Sequence, residues 1–225
     1  AKKIAVIRED NFWGDEAIGQ LRLRARELGL QVLTEQIVAT FAKTSDVAAA
    51  LRAIQSLDAD VIVYLGAGFA MANVIEAIKA AGKLPRIVFN SSFDMLAPEV
   101  SGASGKLPDI AGIAQIHEGN ATLTAVLDRF EKRYGRRPAH AFTALGYDLG
   151  HMLALGLSQA RPHSRDGLKQ ALEKIRRIPT AVGTPGTHMG FLPWDHRGYK
   201  GGYLLLREIR DGKNQPIDMP TALIA

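Results

Sequence analysis

Five short apolar runs separated by helical periods fill the first 118 residues, and this alternation constrains the fold more than any other feature. Ile4-Ala-Val-Ile7 has strand length, and Gly14 to Gly29 carries Ala17, Ile18, Leu21, Ala25 and Leu28 at helical spacing. Gln31 to Val38 alternates as a strand does. Thr44-Ser45-Asp46 offers an N-cap before Val47, Leu51 and Ile54. Asp60 to Gly66 reads as a buried strand, Met71 to Ala81 as a helix stopped by Gly82, and Arg86–Phe89 and Gly112–Ile116 as two further strands. A βαβα rhythm with continuous apolar runs predicts an α/β fold, a mainly parallel sheet with helices on both faces. Ligands of such sheets bind beyond the strands' carboxyl ends, here Arg8–Trp13, Gly66–Phe69 and Asn90–Phe93.

The rhythm stops near residue 118. Ala121 to Tyr134, Ala139 to Ala160 and a segment capped by Ser164 read as three successive helices. Thr187 to Arg210 reads as strands around turns. Three helices without an intervening strand suit a cover for another body. The domains expected are therefore 1–118, 119–180 and 181–225.

Composition narrows the chemistry. With no cysteine, disulfides, thiolate metal sites and thiol catalysis are excluded. Lys and Arg number 28 against 23 Asp and Glu, scattered or locally paired, so nucleic acid is not an expected partner. No apolar run reaches the ~18 residues of a membrane span. Ala1-Lys2-Lys3-Ile4 enters a strand directly, without a leader, so the chain is expected to be cytosolic or the later part of something longer.

No motif nominates a catalyst. Gly66-Ala-Gly68 lacks the third glycine of a dinucleotide loop, with Met71 in its place, and reads as a tight turn. No histidine pair has metal-ligand spacing; His188 and His196 with Asp195 read as surface turn residues. Glu9 and Asp10 read as a helix start or solvated turn, and no nucleophile stands with a base. No enzyme activity, cofactor or metal is expected. The aromatic residues say more. Phe12-Trp13 follows the first strand, Phe69 the third, and Phe93 the fourth beside Asn90-Ser91-Ser92. Apolar walls with a few hydrogen-bonding groups suit a small-molecule pocket, or equally a sealed edge against a neighbouring lobe.

Ile4 to Gly14 resembles the strand and turn that open the second lobe of type I periplasmic binding proteins, in the leucine/isoleucine/valine-binding branch of ABC-transporter receptors. Thr44-Ser-Asp-Val with Leu57 to Val63, Tyr134 to Pro138, Ala144 to Asp148, Gly190 to Gly198 and Ile209 to Lys213 resemble later segments of that family, in order. The resemblance implies a two-lobed periplasmic clamp that closes on a ligand and delivers it to a membrane permease. It implies that about 120 residues of the first lobe precede the segment matching Ile4, and that 119–180 is the returning part of that lobe. The helical faces of Leu123, Val126, Leu127 and Phe130, and of Phe142, Leu145, Leu149, Met152 and Leu153, then need a cover, by self-association or by a first-lobe fragment. Trp13 matches a pocket-lining aromatic, and Phe142 a similar aromatic on a first-lobe helix. The family's aromatic after the third strand falls on Ala67 or Gly68, beside Phe69. Its acidic partner for an amino acid's ammonium falls on Asn90, Ser91 and Ser92, which carry no charge. The ligand expected is a small amino acid or an organic acid, and the uncharged residues beside aromatics suit a carboxylate or aromatic acid better. A ligand-sensing regulatory module of the same fold is the alternative.

Overall fold

The computed structural model describes residues 1–95, 107, 109–138 and 142–217, in two compact units. Of these described residues, those up to 114 together with 206–217 form one, and those between 115 and 205 form the other.

The first unit is built on a seven-stranded sheet in the order β10-β9-β5-β4-β3-β1-β2. Its strands are β1 (Lys3–Glu9), β2 (Gln31–Val38), β3 (Val61–Leu65), β4 (Arg86–Phe89), β5 (Ile110–Ala114), β9 (Leu205–Arg210) and β10 (Lys213–Pro216). β1 to β5 pair in parallel, and β9 with β10 antiparallel. Helices α1 (Phe12–Glu27), α2 (Thr44–Gln55) and α3 (Met71–Ala80) connect the first four strands. The expected mixed α/β fold with a mainly parallel sheet is thus observed.

The packing explains why these runs are continuously apolar. Successive strand side chains point to opposite faces, and both faces of this sheet are covered. Ile4 and Val6 of β1 pack with Leu65 and with Ala17, Ile18 and Leu21 of α1. Ala5 and Ile7 point the other way, into the larger core, with Ile62 and Tyr64 of β3, Leu51 and Ile54 of α2, and Val74, Ile75 and Ile78 of α3. A polar residue at one of the aliphatic positions would be buried at a cost unless it found a partner, as the Tyr64 hydroxyl does in Glu9. The start of α2 differs from expectation by one residue. Lys43 takes the N-cap position, and Asp46 accepts its backbone N–H at 3.1 Å, so Thr44 is the first residue inside the helix.

The second unit contains α4 (Ala121–Tyr134), α5 (Phe142–Gln159) and α6 (Arg165–Leu172), with a small antiparallel sheet of β6 (Ile178–Pro179), β7 (His188–Met189) and β8 (Tyr199–Lys200). The three uninterrupted helices follow the sequence reading. Asn120 caps α4 by accepting from Thr122 and Leu123 N–H, and Gly135, at φ 70°, closes it in a left-handed turn. Ser164 caps α6 through Gly167 N–H at 3.1 Å. The tail strands are shorter than expected. Pro193 has no N–H to give a ladder, and Gly190 instead pairs with Gly198 around a turn. The described part of α5 begins at Phe142, because residues 139–141 of the expected helix lie outside the described residues. No helix among the described residues is long and apolar enough to cross a membrane.

Candidate functional site

Because β2, β1, β3 and β4 run parallel, the loops that follow them leave one end of the first unit's sheet. Glu9, the last residue of β1, holds three of these loops together. Its side chain is fully buried. Oε1 accepts the Tyr64 hydroxyl at 2.8 Å and Gly68 N–H at 3.0 Å; Oε2 accepts Ala67 N–H at 2.9 Å and the Asn11 amide at 2.8 Å. Asn11 in turn caps α1 through Gly14 N–H at 2.9 Å and donates to Thr40 Oγ1, in the loop after β2, at 3.0 Å. Burial first, and then the adjacent Glu9 charge, push the Tyr64 hydroxyl far above the ordinary phenol range, so Tyr64 stays a donor.

Glu9 is therefore not the solvated turn residue or helix-start acid expected from its position. Two glycines make room for it. A Cβ on Gly66 would stand 2.3 Å from Glu9 Cδ, and one on Gly14 would stand 2.1 Å from the Glu9 carbonyl oxygen. Gly66 is thus required by close approach, whereas Gly68 at φ 82° meets the tight-turn reading.

The same edge carries four exposed aromatic side chains, Phe12, Trp13, Phe41 and Phe69, each 52–76% exposed. Phe12 and Trp13 meet edge to face with centroids 6.5 Å apart, and Phe41 stacks on Phe69 at 5.7 Å. Phe41 was not singled out in the sequence. The available signal was its place three residues past the end of a strand, the same kind of position that marked Trp13 and Phe69. Phe93 goes the other way. It is fully buried beneath Gly112, where a Cβ would lie 2.5 Å from Phe93 Cβ, so it belongs to the core and offers no aromatic wall.

The fourth loop is a tight turn. Asn90 accepts Ser92 N–H on its side chain at 3.1 Å and Phe93 N–H on its carbonyl at 3.0 Å. Ser91 is exposed. Ser92 is buried, its hydroxyl has no hydrogen-bond partner among the described residues, and its Cβ lies 3.0 Å from where a Gly68 side chain would begin. Gly68 and Ser92 are therefore brought together. Phe142 lies in the second unit, as the first residue of α5, and is about half exposed.

The second unit has its own buried polar assembly around Thr180–Gly183. Asn120 donates to the carbonyls of Thr180 at 2.9 Å and Gly183 at 3.0 Å. Asp148 accepts Ala181 N–H at 2.7 Å, Val182 N–H at 3.1 Å and the Tyr199 hydroxyl at 3.1 Å. Desolvation pushes the Asp148 carboxyl up, against the lowering by these three donors. Of the histidines, His196 pairs with Glu173 at 2.9 Å and His188 with the Gly186 carbonyl at 3.2 Å. Among the described residues no group of three or more His, Cys, Asp or Glu is placed to hold a metal.

These features define an α/β body whose strand ends carry an aromatic edge over a buried polar clasp. Residues 1–212 match the family described as periplasmic binding protein, and the chain belongs to that family, in its type I branch. Its members are solute-binding proteins without catalytic activity that bind small molecules and deliver them to ABC permeases; they are typically periplasmic or extracellular. Solved structures agree in fold. An ABC-transporter substrate-binding protein from Aeropyrum pernix superposes with TM-score 0.76 at 17% identity, covering 96% of this chain and 58% of its own. A leucine-binding protein from Thermotoga maritima gives 0.74 at 20% identity, covering 97% and 60%. An extracellular ligand-binding receptor from Rhodopseudomonas palustris gives 0.71 at 18% identity, covering 96% and 63%. The chain spans about three-fifths of the length of these proteins. No curated protein matches it.

Proposed function

We propose that this chain is the ligand-binding part of a periplasmic receptor that feeds an ABC uptake permease, and that the first unit is one of its ligand-binding lobes. The observation that supports this best is the exposed quartet Phe12, Trp13, Phe41 and Phe69 at the carboxyl edge of the sheet. Large apolar rings left exposed at strand ends are unfavourable unless a ligand or another surface covers them. The ligand class follows from charge. A structure from Desulfitobacterium hafniense with this fold is described in complex with Leu, and an α-amino acid brings an ammonium group that needs an anionic partner when desolvated. The turn Asn90-Ser91-Ser92 supplies none, and the Glu9 carboxylate already accepts four hydrogen bonds from within the protein. The ligand we assign is a small organic acid with an aromatic or flat apolar end; small amino acids with apolar side chains come second.

The test is calorimetry with a panel that includes leucine, phenylalanine, benzoate and hydroxylated benzoates. Aryl carboxylates should bind most tightly. Trp13→Ala should weaken the best ligand by about 1–3 kcal/mol, the scale of one large apolar contact. Tightest binding of leucine would overturn the assigned class, and full affinity in Trp13→Ala would remove this edge from the site.

A further inference from the structure

The Glu9 clasp resembles an anion site that is already occupied. Four donors, the Tyr64 hydroxyl, the Asn11 amide and the N–H groups of Ala67 and Gly68, converge within 3.0 Å on two carboxylate oxygens. Two successive backbone N–H groups aimed at one point are the usual cradle for a bound carboxylate or phosphate. Here the occupant belongs to the chain, and every partner is a donor, so the group acts as acceptor at both oxygens. Three separate stretches depend on it. Asn11 sets the start of α1, whose second residue is Trp13. Ala67 and Gly68 lead directly into Phe69. Through Asn11 the connection reaches Thr40, which precedes Phe41, the ring stacked on Phe69.

We propose that Glu9 is the positioning residue of the aromatic edge: a built-in anion that fills a four-donor hole, fixes the loops bearing Trp13, Phe41 and Phe69, and closes that hole to the ligand's own carboxylate. A ligand acid therefore meets this edge with its uncharged end. Glu9 touches no ligand; it acts through the loops it ties. This rests on the edge being part of the ligand site, but the positioning role itself is measurable without any ligand.

The readout is Trp13 fluorescence in a Trp194→Phe background, since Trp13 and Trp194 are the only two tryptophans. Glu9→Gln keeps the shape but turns one acceptor into a donor facing donors. Glu9→Ala empties the hole, and Tyr64→Phe removes one donor only. With far-UV circular dichroism unchanged, Glu9→Gln and Glu9→Ala should raise acrylamide quenching of Trp13 by up to about twofold, as a ring 57% exposed in the parent becomes free in a locally opened loop. Tyr64→Phe should give a smaller rise. Sodium formate, and not sodium chloride at equal ionic strength, should return Glu9→Ala toward the parent value and leave Glu9→Gln unchanged, because only the emptied hole has room for an added carboxylate. If Glu9→Ala does not fold, Glu9→Gln and Tyr64→Phe still decide the matter. Parent-like quenching in Glu9→Gln overturns the positioning role, and so does equal rescue of Glu9→Ala by chloride. An unchanged edge with intact ligand binding would refute this inference alone. A displaced edge in a protein that binds no small acid would refute the functional reading and leave the clasp standing.

Discussion

Asp148→Ala is expected to lower the thermal midpoint by about 6–12 °C. Three donors lose their acceptor at once, the buried Ala181 and Val182 N–H groups and the half-buried Tyr199 hydroxyl. An orphaned buried donor costs about 1–3 kcal/mol, so the two buried N–H groups with the half-buried hydroxyl together cost about 3 kcal/mol, and each kcal/mol moves the midpoint of a chain this long by about 2–4 °C. Differential scanning calorimetry on parent and variant measures this directly; a midpoint shift under 2 °C would show that water or rearrangement replaces the carboxylate. Asp148 also carries a pH signature. Desolvation raises its folded carboxyl above the ordinary value of 3.8, so folding favours the protonated form at this position. Its contribution is fully present below the unfolded value and is lost as pH rises through the folded one. Asp148→Asn cannot titrate. The parent should therefore gain stability relative to Asp148→Asn as pH falls from 7 towards 4, and a constant difference across that range would contradict the raised carboxyl.

The second large effect concerns α5. Phe142, Leu149, Leu153 and Leu157 form a stripe at helical spacing, and each is 42–59% exposed. Burying the exposed half of such a side chain stabilises by roughly 1 kcal/mol, so covering all four is worth roughly 4 kcal/mol. Residues 1–225 alone should hide this stripe by self-association, with an average mass in sedimentation equilibrium that rises with concentration. The double substitution Leu149→Glu with Leu153→Glu should keep the chain monomeric and leave its circular dichroism unchanged. A parent that stays monomeric at high concentration and binds no anilinonaphthalene sulfonate would show that the stripe needs no cover. The opposite face of the helix pair shows what covering achieves: Leu123, Val126 and Ala144 are already buried against Ala181 and Val182.

The parts of this protein that were legible in the sequence are those governed by short-range repetition. β1 could be recognised because a strand covered on both faces must be apolar at every position, as Ile4, Ala5, Val6 and Ile7 are. The helices could be recognised because one stripe in each faces a core, as Leu51 and Ile54 do in α2. Trp13 and Phe69 could be selected by their place just past strand ends. Boundaries drifted where local signals competed. Thr44 looked like a cap, but Asp46 reaches back to Lys43 instead.

What the sequence by itself determined, then, was the α/β class, the strand and helix order, and the strand ends that carry exposed aromatic rings, because periodicity and turn chemistry act over a few neighbouring residues. Only the tertiary structure decided the roles of Glu9, Phe41 and Phe93. Glu9 acquires its function from Asn11, Tyr64, Ala67 and Gly68, up to 59 positions away, and no local pattern marks an acid as buried when its donors arrive from another loop. Phe41 matters because β2 and β3 flank β1, which brings its ring onto Phe69. Phe93 turns inward because Gly112 of β5 leaves space for it. Each outcome depends on which strands become neighbours, and that is settled by packing the whole sheet rather than by the residues on either side.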